Sequence, residues 1–252
     1  MERYQLILAY DGTLFSGYQR QGKQRTVQLV LEEALRQLNW QEHSTICAGR
    51  TDTGVHATGQ VISFGLKWNH SLEDLRNALN ARLPEDISVL DVKVADAEFH
   101  PRFDALSRTY QYRIYFSQAR NPLKNRTAWR IWPEVEIKRL QEAAPCFLGT
   151  HDFSSFGAPM KPGASTIRDV RTSEWQFDPN GDLIYQVTAN AFLYHMIRRI
   201  VWQQVLYATD RITLQELQNG IEKAAPLPPG MAPANGLTLV EVEYPNKQGK
   251  DR

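Results

Sequence analysis

Apolar residues recur along this chain with two periods, one near two residues and one near 3.6, and the switches between them divide it into elements. Residues 4–10 form an apolar run closed by Asp11-Gly12, which predicts a strand ending in a turn. Thr26 stands as an N-cap before Val27, Val30, Leu31, Ala34, Leu35 and Leu38, which share one helical face. Residues 43–48 read as a short strand, and residues 59–66 as another beyond a glycine-rich loop. Ser71 with Asp74 makes a capping-box-like start, with Asp in place of Glu or Gln, for a helix carrying Leu72, Leu75, Ala78 and Leu79. Pro84 stops that helix, and residues 87–94 return to a strand pattern.

The same order repeats. In residues 108–116, Tyr110, Tyr112, Ile114 and Phe116 alternate onto one face. Residues 137–148 have a helical pattern. Residues 167–177 and 183–189 read as strands joined by the turn sequence Asp178-Pro179-Asn180-Gly181. Residues 192–206 predict a long helix with Met196, Ile200 and Val201 inward, residues 224–235 a loop rich in Pro and Ala, and residues 237–244 a last strand.

Two consecutive β-α-β-β-α-β units suggest an α+β protein built as a doubled ferredoxin-like split βαβ fold, against the plainer alternative of one irregular α+β domain. The halves divide at 1–104 and 105–252. Joined edge to edge, they would make one broad antiparallel sheet with helices on one face and a cleft on the other.

Composition changes little: 252 residues, 42% apolar, 23% charged and a net charge of +1 suit an ordinary packed core and point to neither nucleic acid nor membrane. The distribution of charge changes more. Between Pro101 and Pro133 stand Arg102, Arg108, Arg113, Arg120, Lys124, Arg126 and Arg130 against Asp104 alone, a local net of +6. Among them are Phe103, Tyr110, Tyr112, Tyr115, Phe116, Trp129 and Trp132. Guanidinium groups pair with phosphates and flat rings stack on splayed bases, so the segment suits RNA, with a solvated charged face as its bland alternative. Cys47 and Cys146 lack metal-site spacing and leave one long-range disulfide or, as we expect, two buried thiols. No stretch approaches the ~18 apolar residues of a membrane span, and the N-terminal run is too short for a signal peptide, so a cytoplasmic protein is expected.

Chemistry concentrates in residues 48–64, AGRTDTGVHATGQVISF. Gly49, Gly54 and Gly59 free the backbone for tight turns and close approach, and Arg50, Asp52 and His56 are titratable or charged groups on that loop between strands. A plain polar turn with a local Arg–Asp pair is the alternative. No Gly-x-Ser-x-Gly elbow, phosphate loop or His-Glu-x-x-His occurs, and the six histidines are scattered, so no metal centre is expected. Asp11-Gly12-Thr13 after a strand is suggestive of an aspartyl phosphatase, but the position that would hold the nucleophile is Ala9.

The segment Gly49-Arg50-Thr51-Asp52-Thr53-Gly54-Val55-His56-Ala57 resembles the active-site motif of the TruA-type family of tRNA pseudouridine synthases. The resemblance runs in order along nearly the whole chain. It includes Tyr10-Asp11-Gly12-Thr13, Phe15-Ser16-Gly17-Tyr18-Gln19, Leu83-Pro84-Glu85-Asp86-Ile87, Phe99-His100-Pro101-Arg102-Phe103 and Arg108-Thr109-Tyr110-Gln111-Tyr112. Asp152-Phe153-Ser154, Asn190-Ala191-Phe192, His195-Met196-Ile197-Arg198-Arg199 and Gly236-Leu237 follow. Tyr18, Leu29 and Thr238 depart from the family's usual Trp, Gly and Tyr, outside the chemistry.

The resemblance implies an isomerase that turns uridine into pseudouridine in the anticodon stem-loop of tRNA, around positions 38 to 40. Asp52 is then the nucleophile, attacking either the sugar C1′ or uracil C6 to give a covalent intermediate. Arg198 reaches Asp52 and holds it charged, and Tyr110 stacks on the base and takes part in proton transfer. Arg50, His56 and Arg102 belong with Tyr110 among the substrate contacts. The sheet's open face is the RNA-binding cleft, the protein is a homodimer, and no cofactor or metal takes part, because isomerisation leaves the electron count unchanged. A non-catalytic RNA-binding module built on residues 102–132 is the competing reading.

Overall fold

The computed structural model describes residues 1–245, with ten strands and five α-helices among them. Two compact units form. Residues 1–108 make one together with the described residues 239–245; Thr109–Thr238 make the other.

In the first unit β1 (Glu2–Tyr10) lies between β3 (His56–Leu66) and β4 (Ile87–Ala95), antiparallel to both. Its alternation is that of a strand with one face in the core: Tyr4, Leu6, Leu8 and Tyr10 are buried. The register with β3 slips between Leu8, opposite Gln60, and Tyr10, opposite Ala57, so the strand end is turned where the glycine-rich loop returns to the sheet. β3 is buried on both faces except at Thr58. Its far side takes β10 (Leu237–Glu243), and Gly59 permits the approach, since a Cβ there would lie 2.1 Å from the Val240 carbonyl oxygen.

α1 (Val27–Arg36) is capped by Thr26, whose hydroxyl accepts from the Leu29 N–H, and it buries Val27, Leu31, Ala34 and Leu35. α2 (Leu72–Asn80) opens with the expected reciprocal box. The Asp74 N–H donates to Ser71 Oγ at 3.0 Å and the Ser71 N–H to Asp74 Oδ2 at 3.1 Å. β2 is only Ile46–Cys47, shorter than the pattern predicts. The reason is the buried Glu32 carboxylate, which takes the Thr45 N–H at 2.9 Å and diverts that donor from the ladder.

In the second unit β5 (Ser107–Phe116) is followed in the sheet by β9 (Leu183–Ala189), β8 (Ile167–Phe177) and the short β7 (Gly149–Asp152), while β6 (Trp129–Ile131) runs parallel to β5. The β8–β9 turn closes as predicted, with Gly181 at φ +79 and its N–H on the Asp178 carbonyl at 3.0 Å. α3 (Ile137–Ala143) stops earlier than its apolar pattern because Pro145 tightens the chain into a 3-10 turn. α4 (Met196–Ala208) starts later than predicted: His195 sits at φ +64, a left-handed conformation that breaks any helix running in from Phe192. α5 (Leu214–Glu222) was not anticipated, although Thr213 and Glu216 form its capping box. Cys47 and Cys146 are both free thiols rather than a disulfide. Among the described residues no helix is long and apolar enough to cross a membrane, and no His/Cys/Asp/Glu group could hold a metal ion.

Asp178 ties the β8–β9 turn to β5. Burial raises its pKa, but the Arg113 guanidinium and the Asp182 and Asn180 N–H groups outweigh that and leave it below the ordinary carboxylate range. A depressed folded-state pKa stabilises the fold above the unfolded value of ~3.9 and loses that effect as pH falls through the folded value. Asp178→Asn is therefore expected to lower the melting temperature at pH 7. The gap to the native protein should narrow below about pH 4. Thermal melts across pH check this, and a gap independent of pH contradicts it.

Candidate active site

The glycine-rich loop of the first unit is held from several sides. At its start, Gly49 is bracketed by the buried Gln60 amide, which accepts the Gly49 N–H at 3.3 Å and donates to the Gly49 carbonyl at 2.6 Å. The Thr51 hydroxyl pairs with Tyr10 Oη at 2.8 Å, and the Thr51 carbonyl accepts from the Tyr18 N–H at 3.0 Å. Burial raises the Tyr10 pKa despite the Thr51 and Gln60 hydrogen bonds, so a neutral phenol meets Thr51. The Asp52 carbonyl accepts from the Val55 N–H at 3.1 Å and closes the turn, with Gly54 at φ +79.

The sequence around Gly12 and Gly17 explains how close the neighbouring turn comes. A Cβ on Gly12 would lie 2.0 Å from the Val55 carbonyl oxygen. Gly17, at φ +81, packs on the backbone of Thr51, Asp52 and Thr53. That turn is itself fixed: Arg25 forms a two-pronged ion pair with Asp86 at 2.7 and 2.8 Å and lies 4.1 Å over the Phe15 ring. Asp52 thus projects from a backbone packed against other backbone, and its side chain is half-buried.

Of the other expected site residues in this unit, Arg50 and Arg102 are exposed. His56 is 5% exposed, and its Nδ1 accepts the Gly12 N–H at 3.0 Å with Asp11 Oδ1 3.2 Å away. It opens β3 and holds the turn that backs the loop.

Tyr110 and Arg198 lie in the second unit. Tyr110 is buried on β5, with the Phe192 ring edge-on at 5.2 Å. Arg198 occupies the first turn of α4; its Nε donates to the Ala232 carbonyl at 2.8 Å and its own carbonyl accepts from the Ala232 N–H at 3.1 Å. Beside it the Tyr112 hydroxyl donates to the Pro233 carbonyl at 2.8 Å. Burial drives the Tyr112 pKa well up, against the pull of the Arg198 charge. A planar guanidinium fixed at one nitrogen keeps its remaining donors aimed in one direction.

The basic, aromatic segment divides into two sets of residues. Arg108 is buried and donates to the Ala48 and Arg102 carbonyls; Arg113 and Lys124 pair with Asp178 and Asp182; Arg130 donates to the Ser117 and Gln118 carbonyls. Four of its seven cations therefore brace the fold, and Tyr110, Tyr112 and Tyr115 are core. Arg102, Arg120 and Arg126 are the exposed ones. The bracing roles of Gln60, Tyr10, Gly12 and Gly17 escaped sequence reasoning about chemistry, although three of the four stand in the Tyr10–Gln19 motif.

Comparison with known proteins bears on this geometry. A family model described as tRNA pseudouridine synthase matches residues 6–104 and 143–245. Proteins called tRNA pseudouridine synthase A are similar over almost their full lengths. That of Methylacidiphilum infernorum is 39% identical, covering 97% of this chain and 96% of its own. Those of Lacticaseibacillus casei and Streptococcus equi subsp. equi are 38% and 36% identical, each over 97% of this chain and 100% and 99% of theirs. Among solved structures, the archaeal box H/ACA sRNP Nop10-Cbf5 complex is alike at a TM-score of 0.38 and 12% identity. That match covers 76% of this chain but only 48% of that one. The chain belongs to the tRNA pseudouridine synthase family.

Proposed function

We propose that Asp52 is the nucleophile with which this enzyme isomerises uridine in tRNA, and that its targets are uridines of the anticodon stem-loop at positions 38 to 40. The observation that carries the reading is the anchoring of the Asp52 loop. Its backbone is packed against Gly12 and Gly17 and tied through Gly49 and Thr51, so the carboxylate is presented rather than mobile. Attack by Asp52 at C1′ breaks the N-glycosidic bond directly; attack at C6 loads the base, and the N-glycosidic bond then breaks with Asp52 still attached. The uracil then turns, a bond forms from C5 to the sugar, the C5 proton leaves to solvent while the freed N1 takes one up, and Asp52 is released unchanged. Electrons and atoms balance without an oxidant or a second substrate.

Tyr110 stacks on the turned base and takes part in its proton transfer, and Arg198 aims and keeps charged the Asp52 carboxylate. For that, the two halves close into one broad sheet whose open face is the RNA cleft, and a homodimer presents it to tRNA. Arg50 and Arg102, both exposed, contact the RNA; His56 acts on it through the loop it supports. A target inside a stem must be extruded, at a cost of roughly a few kcal/mol, which favours loop and stem-end uridines.

The test is tritium release from tRNA labelled at uracil C5, in EDTA and without added cofactor. Release is expected to match pseudouridine formation one for one. Dependence on an added metal or nucleotide, or pseudouridine without release, contradicts the reading.

A further inference from the structure

The turn between β4 and β5 carries the most exposed aromatic ring of the first unit. Phe103 is 77% exposed, yet it is not loose: its ring stacks on His100 at 4.2 Å between centroids and 26° between planes. The turn beneath is fastened at every residue that shapes it. The His100 N–H donates to Asp104 Oδ2 at 2.9 Å, and the Phe103 N–H to the His100 carbonyl at 3.1 Å. The Pro101 carbonyl accepts from Tyr244 Oη at 2.7 Å. Arg108 donates both to the Arg102 carbonyl and, at 3.2 Å, to the carbonyl of Ala48, the residue that enters the nucleophile loop.

One buried arginine thus fixes the aromatic turn and the catalytic loop to each other. The cations are placed with it. Arg102 is exposed on the same turn, and both it and Arg50 lie close enough to Cys47 to pull against the rise that burial imposes on its thiol.

An exposed apolar ring, stacked on a second ring and carried on the same turn as an exposed guanidinium, has the chemistry of a stacking platform. Every nucleobase offers a π-face, and phosphates follow guanidinium groups. Alone, an exposed Phe would be an unremarkable surface feature. Here the anchoring and the positive charge select an anionic, base-bearing partner. We propose that the Phe103–His100 pair is a platform on which an unpaired nucleotide of the tRNA stacks, adjacent to the target uridine, with its phosphate on Arg102. The inference rests on the proposed RNA-modifying function and adds to it a specific contact for a non-reacting base.

Binding and chemistry separate in the test. Phe103→Ala should weaken equilibrium binding of unmodified tRNA by at least about fivefold. The single-turnover rate at saturating tRNA should stay within about twofold, and Phe103→Trp should restore affinity. Arg102→Gln should reduce the slope of binding against salt by about one, whereas Phe103→Ala leaves it unchanged.

Native tRNA affinity in Phe103→Ala overturns the proposal. So does a variant that binds tRNA normally but loses self-association in sedimentation, because the ring would then belong to a contact between copies. The function itself fails differently: a native protein that binds tRNA without forming pseudouridine removes the reaction while leaving the platform to be read by affinity.

Discussion

Asp52→Asn should bind tRNA within about threefold of the native protein and form essentially no pseudouridine. Losing a covalent nucleophile costs on the order of 10⁴-fold or more. The substitution replaces one carboxylate oxygen with an NH2 group and keeps the side chain's shape. The contacts that set the loop (Val55 N–H on the Asp52 carbonyl, Tyr10 on Thr51, Gln60 around Gly49) are made by other groups and survive it. An amide cannot supply the electron pair that displaces uracil or adds to C6. Measured under single turnover with saturating tRNA, the loss should fall on the rate and not on affinity. Native-like turnover by Asp52→Asn would remove this residue from the mechanism.

Gly12→Ala should be the most damaging single methyl group in the first unit. The added Cβ would lie 2.0 Å from the Val55 carbonyl oxygen and 2.5 Å from its carbon. Both obstacles are backbone, so neither can rotate away. Relief requires moving Val55 and with it the turn closed on Asp52. Overpacking of this kind costs about 1–3 kcal/mol. In a chain this size ~2 kcal/mol lowers the melting temperature by about 5 °C. The rate should suffer more than the fold, because a displacement near 1 Å at the reacting group costs ~10²-fold. Melting curves and single-turnover rates on the same preparation separate the two. A variant that melts early but turns over normally would mean that the loop position does not limit the chemistry.

Local signals were legible in the sequence, and the structure keeps them. Thr26 and the Ser71–Asp74 box start their helices because a cap is an interaction within four residues. The Asp178–Gly181 turn closes because its residues supply the needed φ and carboxylate. What the pattern missed depends on distant partners. β2 is cut short by Glu32, a residue from α1. α4 begins late because Asn190 folds the entering chain back through the N–H groups of Asp169 and Ala191 before His195 turns left-handed. β10 lies beside β3, an adjacency that only Gly59 foreshadows. α5 is the exception, since Thr213-Leu214-Gln215-Glu216 is a readable capping box.

The candidate site divides the same way. Its glycines and its carboxylate could be read along the chain, but the groups that hold them could not, because Tyr10, Gly17 and Gln60 become neighbours of the loop only on folding. A count of charges found the basic segment. It could not show that Arg108, Arg113, Lys124 and Arg130 are engaged within the protein.

The central claim is that this chain places pseudouridine in the anticodon stem-loop of tRNA with its own residues alone. Nucleotide-resolution mapping of an unmodified tRNA transcript, incubated with the purified protein in EDTA, tests it most directly. The account predicts conversion confined to uridines at positions 38 to 40. A transcript that remains unmodified, or one modified only outside the anticodon stem-loop, would contradict it.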